Sequence, residues 1–394
     1  MRFVPGRGLW LALVTTTLAV ILMYLASTWG IAAWSQARAA GEGGAAALPV
    51  VVANAPPSLG TTDEYGPLGA VSMVYAGTDV EDGLVGEVER PWIAIAAQGG
   101  AYRAISAPEL PEGRTGGVAV APEGDLLAWA TGDGVEVHDP VTGRSREIPL
   151  DGATHVGTFS PDGSMVVAHA GGLRVLDLAT GDVVAEGEGT DEVVVGRAAW
   201  RPDGSAVDYV DGSALVTLST DGGDPTTQPS PFDETAPLAW APNADQLVAM
   251  QEDADGVLRL VSARADGDGG LGPAGTIDTS GISLAGLLGF SGEETVAVSA
   301  YLLESGSVER VLDIPLDGGS PADVTTLPPP GDNWVGSDTL AVSSAALRAG
   351  SSDFGNPVSP WSYRARLVSC LLVGLFGLGL WLTRRRPGWA IRRR

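Results

Sequence analysis

Residues Phe159 to Asp182 read FSPDGSMVVAHAGGLRVLDLATGD, a stretch of 24 residues that carries three turns. Pro161 fixes φ at about −65° for the first turn position, and Asp162 can hydrogen-bond the backbone two residues on. Gly163 accepts the positive φ that lets a hairpin reverse. An apolar strand, Met165–Ala168, follows and ends at His169 beside a Gly-rich turn. A further strand reaches Asp177, where Asp177-Leu178-Ala179-Thr180-Gly181 makes the third turn. Strands this short, joined by turns this tight, belong to an antiparallel sheet.

The same signals recur on both sides. Val120-Ala121-Pro122-Glu123-Gly124 precedes the stretch, and Trp200-Arg201-Pro202-Asp203-Gly204 and Trp240-Ala241-Pro242-Asn243-Ala244 follow it, the last without its glycine. Two decayed copies begin at Phe290 and Trp334, so successive starts lie 39, 41, 40, 50 and 44 residues apart. The later motif also repeats, as Asp139-Pro140-Val141-Thr142-Gly143 and more loosely around Asp221-Gly222 and Asp317-Gly318. One period is therefore strand, Pro-Asp-Gly turn, strand, Gly-rich turn, strand, Asp-x-x-Thr-Gly turn, strand. Four short antiparallel strands every 40 residues or so make a propeller blade. These prolines, aspartates and glycines are read as structural. The bulky residue ahead of each copy is expected to bury at the end of its strand.

Phe159–Asp182 resembles a blade of the TolB-like and WD-repeat-like bacterial propellers, over a span of about Val118 to Val342. The chain lacks the Trp-Asp dipeptide and paired Gly-His of the strict WD pattern. The resemblance implies a binding platform more than an enzyme.

Val71–Tyr75, Trp92–Ala97 and Ala101–Ser106 read as strands without a Pro-Asp-Gly start, and the copy at Trp334 has a start without later strands. The simplest closure lets C-terminal strands complete the first blade, which removes the open edges. The expected fold is all-β: a single propeller of six four-stranded blades, or seven if Gly60–Arg90 contributes more. Closure would also bring the two ends of the ring together.

Each end of the chain carries an uncharged run. Leu9–Trp34 holds 26 residues, about 39 Å as a helix against a hydrocarbon core of about 30 Å. Trp10, Trp29 and Trp34 sit near its ends, as membrane-interface aromatics do. A cleavable signal ending near Ala37-Arg38-Ala39 is the rival reading; the length favours an uncleaved anchor. Leu367–Thr383 is the second run, flanked by Arg364 and Arg366 before it and by Arg384, Arg385, Arg386, Arg392, Arg393 and Arg394 after it. With Arg2 and Arg7, the positive-inside rule places both termini in the cytoplasm and the middle outside. The basic tail is suited to anionic lipid, and Gly374, Gly377 and Gly379 permit close helix contact. The expected organisation is a short cytoplasmic N-terminus 1–8, a transmembrane helix 9–34, a stalk 35–66, a propeller 67–345, a linker 346–365, a transmembrane helix 366–383 and a basic tail 384–394. The Ala-, Gly-, Pro- and Ser-rich stretches Ala40–Ser58 and Ala349–Ser362 are the expected stalks.

Composition narrows function. All 23 basic residues are Arg, and with much Ala, Gly and Val this fits a high-GC Gram-positive genome, or else a halophile. The 48 acids all lie between Glu42 and Asp353, a span near −36, which excludes nucleic acid and makes anionic headgroups poor ligands of that region. Absence of lysine removes P-loop, Schiff-base and Ser-x-x-Lys chemistry. Cys370, the only cysteine, sits in an apolar run, so no disulfide and no cysteine metal site is expected. Gly281-Ile282-Ser283-Leu284-Ala285 misses the nucleophile elbow. Gly267-Asp268-Gly269-Gly270-Leu271-Gly272 satisfies GxGxxG without a βαβ context and reads as a loop. His138 alternates away from Val135 and Val137 and is expected to face outward; His169 ends a strand; His155 precedes an innermost strand and is nearest a central channel. Their spacings match no compact ligand set. Asp253, Asp255, Asp266 and Asp268 fit hairpin ends rather than an EF-hand. No catalytic, metal or cofactor residue is assigned, no cofactor is expected, and the ligand-binding residues are unknown. The functional expectation is a two-pass, membrane-anchored extracytoplasmic propeller serving as a binding or sensing module of the cell envelope, with the bilayer and an envelope protein or glycan as partners. The alternatives are a propeller hydrolase or lyase acting on glycans or peptides, and a structural ectodomain acting through its helices alone.

Overall fold

The computed structural model describes residues 14–27, 30, 46–355 and 363–384, except 54, 56–58, 63–65, 78–79, 83–85, 89–90, 106–116, 189–196, 234–235, 267–269, 302–307 and 328–339. Six four-stranded antiparallel sheets make the ring. Blade 2 runs in chain order through Ala119–Val120, Leu127–Ala130, Gly132–Asp139 and Arg144–Ala153. Blade 3 is His155–Phe159, Met165–His169, Gly172–Asp177 and Val183–Glu188, and blade 4 is Ala199–Trp200, Ala206–Asp211, Ala214–Ser219 and Thr226–Pro229. Blades 5 and 6 begin at Leu238–Trp240 and Ser283–Phe290. First strands of successive blades touch around the axis; Leu238 N–H donates to the Arg197 carbonyl at 3.0 Å.

The turn chemistry explains the spacing. In four blades the residue at the glycine position donates its N–H to the carbonyl three residues back at 2.9 Å: Gly124 to Ala121, Gly163 to Ser160, Gly204 to Arg201 and Ala244 to Ala241. Their φ values are +73°, +73°, +72° and +60°, so the copy that lost its glycine keeps the left-handed geometry.

Each blade faces a neighbour on both sides, and alternate side chains of one strand serve two interfaces. In Met165–His169, Val166 and Ala168 join the core shared with blade 2, while Val167 joins the core shared with blade 4. Val248 and Met250 pack toward blade 6, and Leu247 and Ala249 toward blade 4. Six such apolar clusters among the described residues, one per interface, hold the ring. A fully buried Leu or Val contributes about 1.5–3 kcal/mol.

Closure follows the expected scheme. Leu340–Val342 is the first strand of blade 1, completed by Val71–Ala76, Trp92–Ala96 and Tyr102–Ile105. Its register is Met73 to Val342, Val74 to Ala341 and Tyr75 to Leu340. There are six blades among the described residues; within Gly60–Arg90, Val80–Asp82 and Gly86–Val88 form a separate two-stranded hairpin. A second clasp backs the first. Leu48–Pro49, inside the expected stalk, pairs in parallel with Ser351–Ser352. Val52 N–H donates to Thr326 O at 2.8 Å and Thr326 N–H to Val50 O at 3.0 Å, tying the same segment to blade 6. Leu48, Val52 and Leu59 are buried there with Ala346 and Leu347 of the short helix Ser344–Ala349. That helix is capped by the Ser343 hydroxyl, which accepts the Ala346 N–H at 3.0 Å.

Residues 14–27 are helical, and a C-terminal helix spans Tyr363–Arg384. Gly374 is their contact point: a Cβ there would lie 2.4 Å from Val20 Cγ2 and 3.4 Å from Thr16 Cγ2, whereas Gly377 and Gly379 have nothing within 4 Å. Val20 is buried, while Val14, Leu18, Leu22, Leu372, Leu375 and Phe376 are exposed. Over the described residues, no helix is long and apolar enough to cross a membrane. Arg2, Arg7, Trp10, Trp29, Trp34 and the tail from Arg385 lie outside the described residues.

Candidate functional site

In an up-and-down blade the first-to-second and third-to-fourth turns share one rim, and the second-to-third hairpins and blade-to-blade connections share the other. Pro-Asp-Gly and Asp-x-x-Thr-Gly turns therefore crowd a single rim and make it acidic. Their carboxylates are occupied. Asp162 Oδ1 accepts from the Ser160 and Ser164 hydroxyls at 2.7 and 2.8 Å and from Ser164 N–H at 3.0 Å. Asp177 Oδ1 accepts from Ala179 N–H and Thr180 N–H, both at 2.8 Å, and Asp139 Oδ1 accepts likewise from Val141 and Thr142 at 2.8 and 2.9 Å. The Ser160 hydroxyl leads in holding the Asp162 carboxyl below the usual range, as the Thr180 N–H does for Asp177 and the Ser205 hydroxyl for Asp203. For Asp139 partial burial is the largest influence and works upward, but the Thr142 and Val141 hydrogen bonds outweigh it.

The acidic group near Asp253 behaves the same way. Asp253 Oδ1 accepts from Asp255 N–H at 2.9 Å and Val257 N–H at 3.0 Å, and its other oxygen pairs with Arg259. Asp266 Oδ1 accepts from Gly270 N–H at 2.7 Å, while Asp268, with Gly267 and Gly269, lies outside the described residues. Gly272 N–H donates back to Arg264 O at 2.9 Å, so the GxGxxG stretch ends in a hairpin. Among the described residues no three His, Cys, Asp or Glu side chains gather in a metal-holding group.

His155 heads the first strand of blade 3 and lies across the ladder from His169, whose Nδ1 meets Thr154 Oγ1 at 2.8 Å. His138 corrects the outward expectation. It is 6% exposed, with Nδ1 2.9 Å from Ser145 Oγ and its ring 6.1 Å from that of Trp129. The alternation argument assumed one solvated face, and a blade packed on both faces has none.

The sequence reading missed Asp208, which is wholly buried between Val207 and Tyr209 of blade 4. Arg201 Nε lies 3.0 Å from its Oδ2, Thr217 Oγ1 donates to its Oδ1, and the Trp240 indole N–H of blade 5 donates to Oδ2 at 2.7 Å. The Arg201 guanidinium lies 5.9 Å from the Trp240 ring centroid. The equivalent indole one blade back, Trp200, donates to Thr158 O of blade 3 at 3.0 Å. Tryptophan ahead of the turn thus clasps the preceding blade. An acid within the apolar run Ala206–Val210 was the available signal, since such a charge needs a buried partner. Asp313 of blade 6 stands apart. Burial pushes its carboxyl up, against a Ser291 hydrogen bond, and its ladder partners are Ala297 and Ala322.

The class defined by this architecture is the six-bladed β-propeller. No known family's sequence profile matches the chain, and no curated protein matches it. Solved structures similar to it include a protein assigned as TolB from Agrobacterium tumefaciens, at 14% identity and TM-score 0.41, covering 58% of this chain and 89% of that one. TolB from Acinetobacter baumannii is similar at 15% identity and TM-score 0.47, covering 71% of this chain and 68% of that one. A chain of a mitotic checkpoint complex is similar at 15% identity and TM-score 0.38, covering 53% and 62%.

Proposed function

We propose that this chain is a membrane-anchored propeller that serves as a binding module of the cell envelope, with a protein partner. The observation that carries the anchoring is the terminal helix pair. The two helices meet at Gly374 and Val20 and turn Leu18, Leu22, Leu372 and Phe376 outward, an apolar exterior that water does not favour and lipid does. The uncharged runs Leu9–Trp34 and Leu367–Thr383 and the terminal arginines give the proposed topology, with the ring extracytoplasmic and both termini cytoplasmic.

The binding role is supported by how the polar groups are used. Turn aspartates cap their own turns and Asp208 joins two blades, so these acids are used structurally. The rims remain as loop-built surfaces of the kind on which recognition is built. Purification from the native host in mild detergent after crosslinking tests this. A reproducible envelope protein bound to the ring is expected; recovery of the chain alone, with turnover in a glycan or peptide screen, favours the hydrolase or lyase reading instead. A C-terminal tag is expected to be inaccessible from outside intact cells.

A further inference from the structure

The two ends of the ring leave it at one place. Ala47 N–H donates to Ala97 O at 3.1 Å, and Ala97 opens the turn between the third and fourth strands of blade 1. At the other end of the same turn, a Cβ on Gly100 would lie 2.5 Å from Phe354 Cβ, so Phe354 sits on it. Leu48–Pro49 and Ser351–Ser352 run side by side in parallel away from this point, and the bridge from Val51 to Thr326 aligns them with Ala322–Thr326, the descending fourth strand of blade 6. The Asp353 carboxylate, accepting Gly355 N–H at 2.8 Å, turns the chain after Ser352. Both connections to the helices therefore start on the rim of Pro-Asp-Gly and Asp-x-x-Thr-Gly turns. From Gly355 to the start of the C-terminal helix at Tyr363 the chain can span at most about 29 Å.

Given the anchoring proposed above, on which this rests, the geometry points to an orientation of the ring: the rim of Pro-Asp-Gly and Asp-x-x-Thr-Gly turns faces the bilayer, and the second-to-third-strand hairpins face away from it. Carboxylates held ionised by their own turns repel anionic headgroups, so the near rim stands off the lipid instead of lying on it, within the reach of the short connection. The hairpins of blades 2, 4 and 5, at Asp133, Ser213 and Asp255, crown the far side.

Cysteine pairs matched within one blade read this directly. In a full-length Cys370→Ser background, the near-rim variants are Glu123→Cys, Asp224→Cys and Asp245→Cys, and the far-rim variants are Asp133→Cys, Ser213→Cys and Asp255→Cys; all six positions are exposed. Each is labelled in detergent with a donor dye, reconstituted into vesicles of neutral lipid with 20% (about one lipid in five) anionic lipid and an acceptor-tagged headgroup, and floated. Flotation with higher energy transfer from the near-rim member of every pair is expected, because strands of six or seven residues separate the rims by about 20 Å. Raising salt from low to physiological strength should increase near-rim transfer as repulsion is screened. Equal or reversed transfer within the pairs overturns the orientation while leaving the anchoring intact. Failure of the unlabelled full chain to float overturns the anchoring and the orientation with it.

Discussion

Blade 3 and blade 1 have the same four strands and opposite origins. Blade 3 is one contiguous stretch, His155–Glu188, whose pairing partners are all neighbours in sequence. Blade 1 takes its innermost strand from Leu340–Val342 and its others from Val71 to Ile105, and is reinforced by Leu48–Pro49 against Ser351–Ser352. The first is specified by turns. The second exists only once the rest of the ring has brought distant segments together, at the entropic cost of closing a long loop. A local fault should thus be tolerated in blade 3 and felt by the whole ring at the seam.

Gly124 and Gly163 break or confirm this contrast most sharply, because both have a φ of +73°. At Gly163 an added Cβ meets nothing nearer than 3.8 Å, whereas at Gly124 it would lie 2.0 Å from the Val71 carbonyl oxygen of blade 1. Val71 N–H donates to Gly124 O at 2.7 Å and Ala345 N–H to Pro122 O at 2.9 Å, so this turn is where the closing segment docks. Gly124→Ala should cost about 3–5 kcal/mol by urea unfolding, the strain of the φ plus a main-chain displacement. Equal losses for the two glycines would remove the distinction between seam and regular blade.

Asp208→Ala comes next, at about 2–4 kcal/mol, since it strands the Trp240 indole and a guanidinium that is part-solvated and so only partly dependent on it. Its effect belongs to one regular interface, between blades 4 and 5. Trp240→Phe, which keeps the ring and loses the donor, should cost less than the aspartate change. Gly163→Ala should cost only about 1–2 kcal/mol, the left-handed backbone alone. Thermal unfolding of the set orders them.

How much of this was legible in the sequence follows the same division. Blades 2 to 5 were readable because Pro-Asp-Gly, and its variants Pro122-Glu123-Gly124 and Pro242-Asn243-Ala244, state a turn's geometry within five residues. Closure was readable in outline, since an orphan start near Trp334 needed a home. The second clasp was not: Leu48-Pro49 and Val50–Val52 after it lie in an Ala-, Gly- and Pro-rich stretch that reads as a stalk, and the residues that bury Leu48 (Val324, Leu327, Ala346 and Leu347) lie near the other end of the chain. His138 misled because period-two alternation says which sheet face a side chain takes, not whether that face meets water. Asp208 was visible as an acid in an apolar run, but its partner, Trp240, lies 32 residues on in the next blade.

Ala244 offers a gain in place of a loss. It holds φ +60° with a Cβ, at the position where three other blades carry glycine. Ala244→Gly should raise stability by up to about 1 kcal/mol, the relief of left-handed strain less the added freedom of the unfolded chain. No change would mean that neighbouring contacts already absorb the strain.

The smallest effect is one of slope. Asp162 and Asp203 have folded-state pKa values below the ordinary carboxylate value of 3.8, whereas blade 5 places Asn243 at the same turn position. A depressed folded pKa means that the unfolded chain binds more protons in this range, so stability rises with pH there. The contribution is complete above the unfolded value and is lost as pH falls below about 4 through the lower folded value. Asp162→Asn should therefore flatten the acid limb of the stability–pH curve by lowering stability slightly near neutrality, where the parent's contribution is complete, while matching the parent at low pH, because the amide oxygen, like that of the protonated acid, can still accept the Ser164 N–H. Asn243→Asp should steepen the limb by the same reasoning. If neither substitution changes the acid slope, the turn aspartates serve the ring by geometry alone, and blade 5 with its neutral turn is no different from blade 3 in acid.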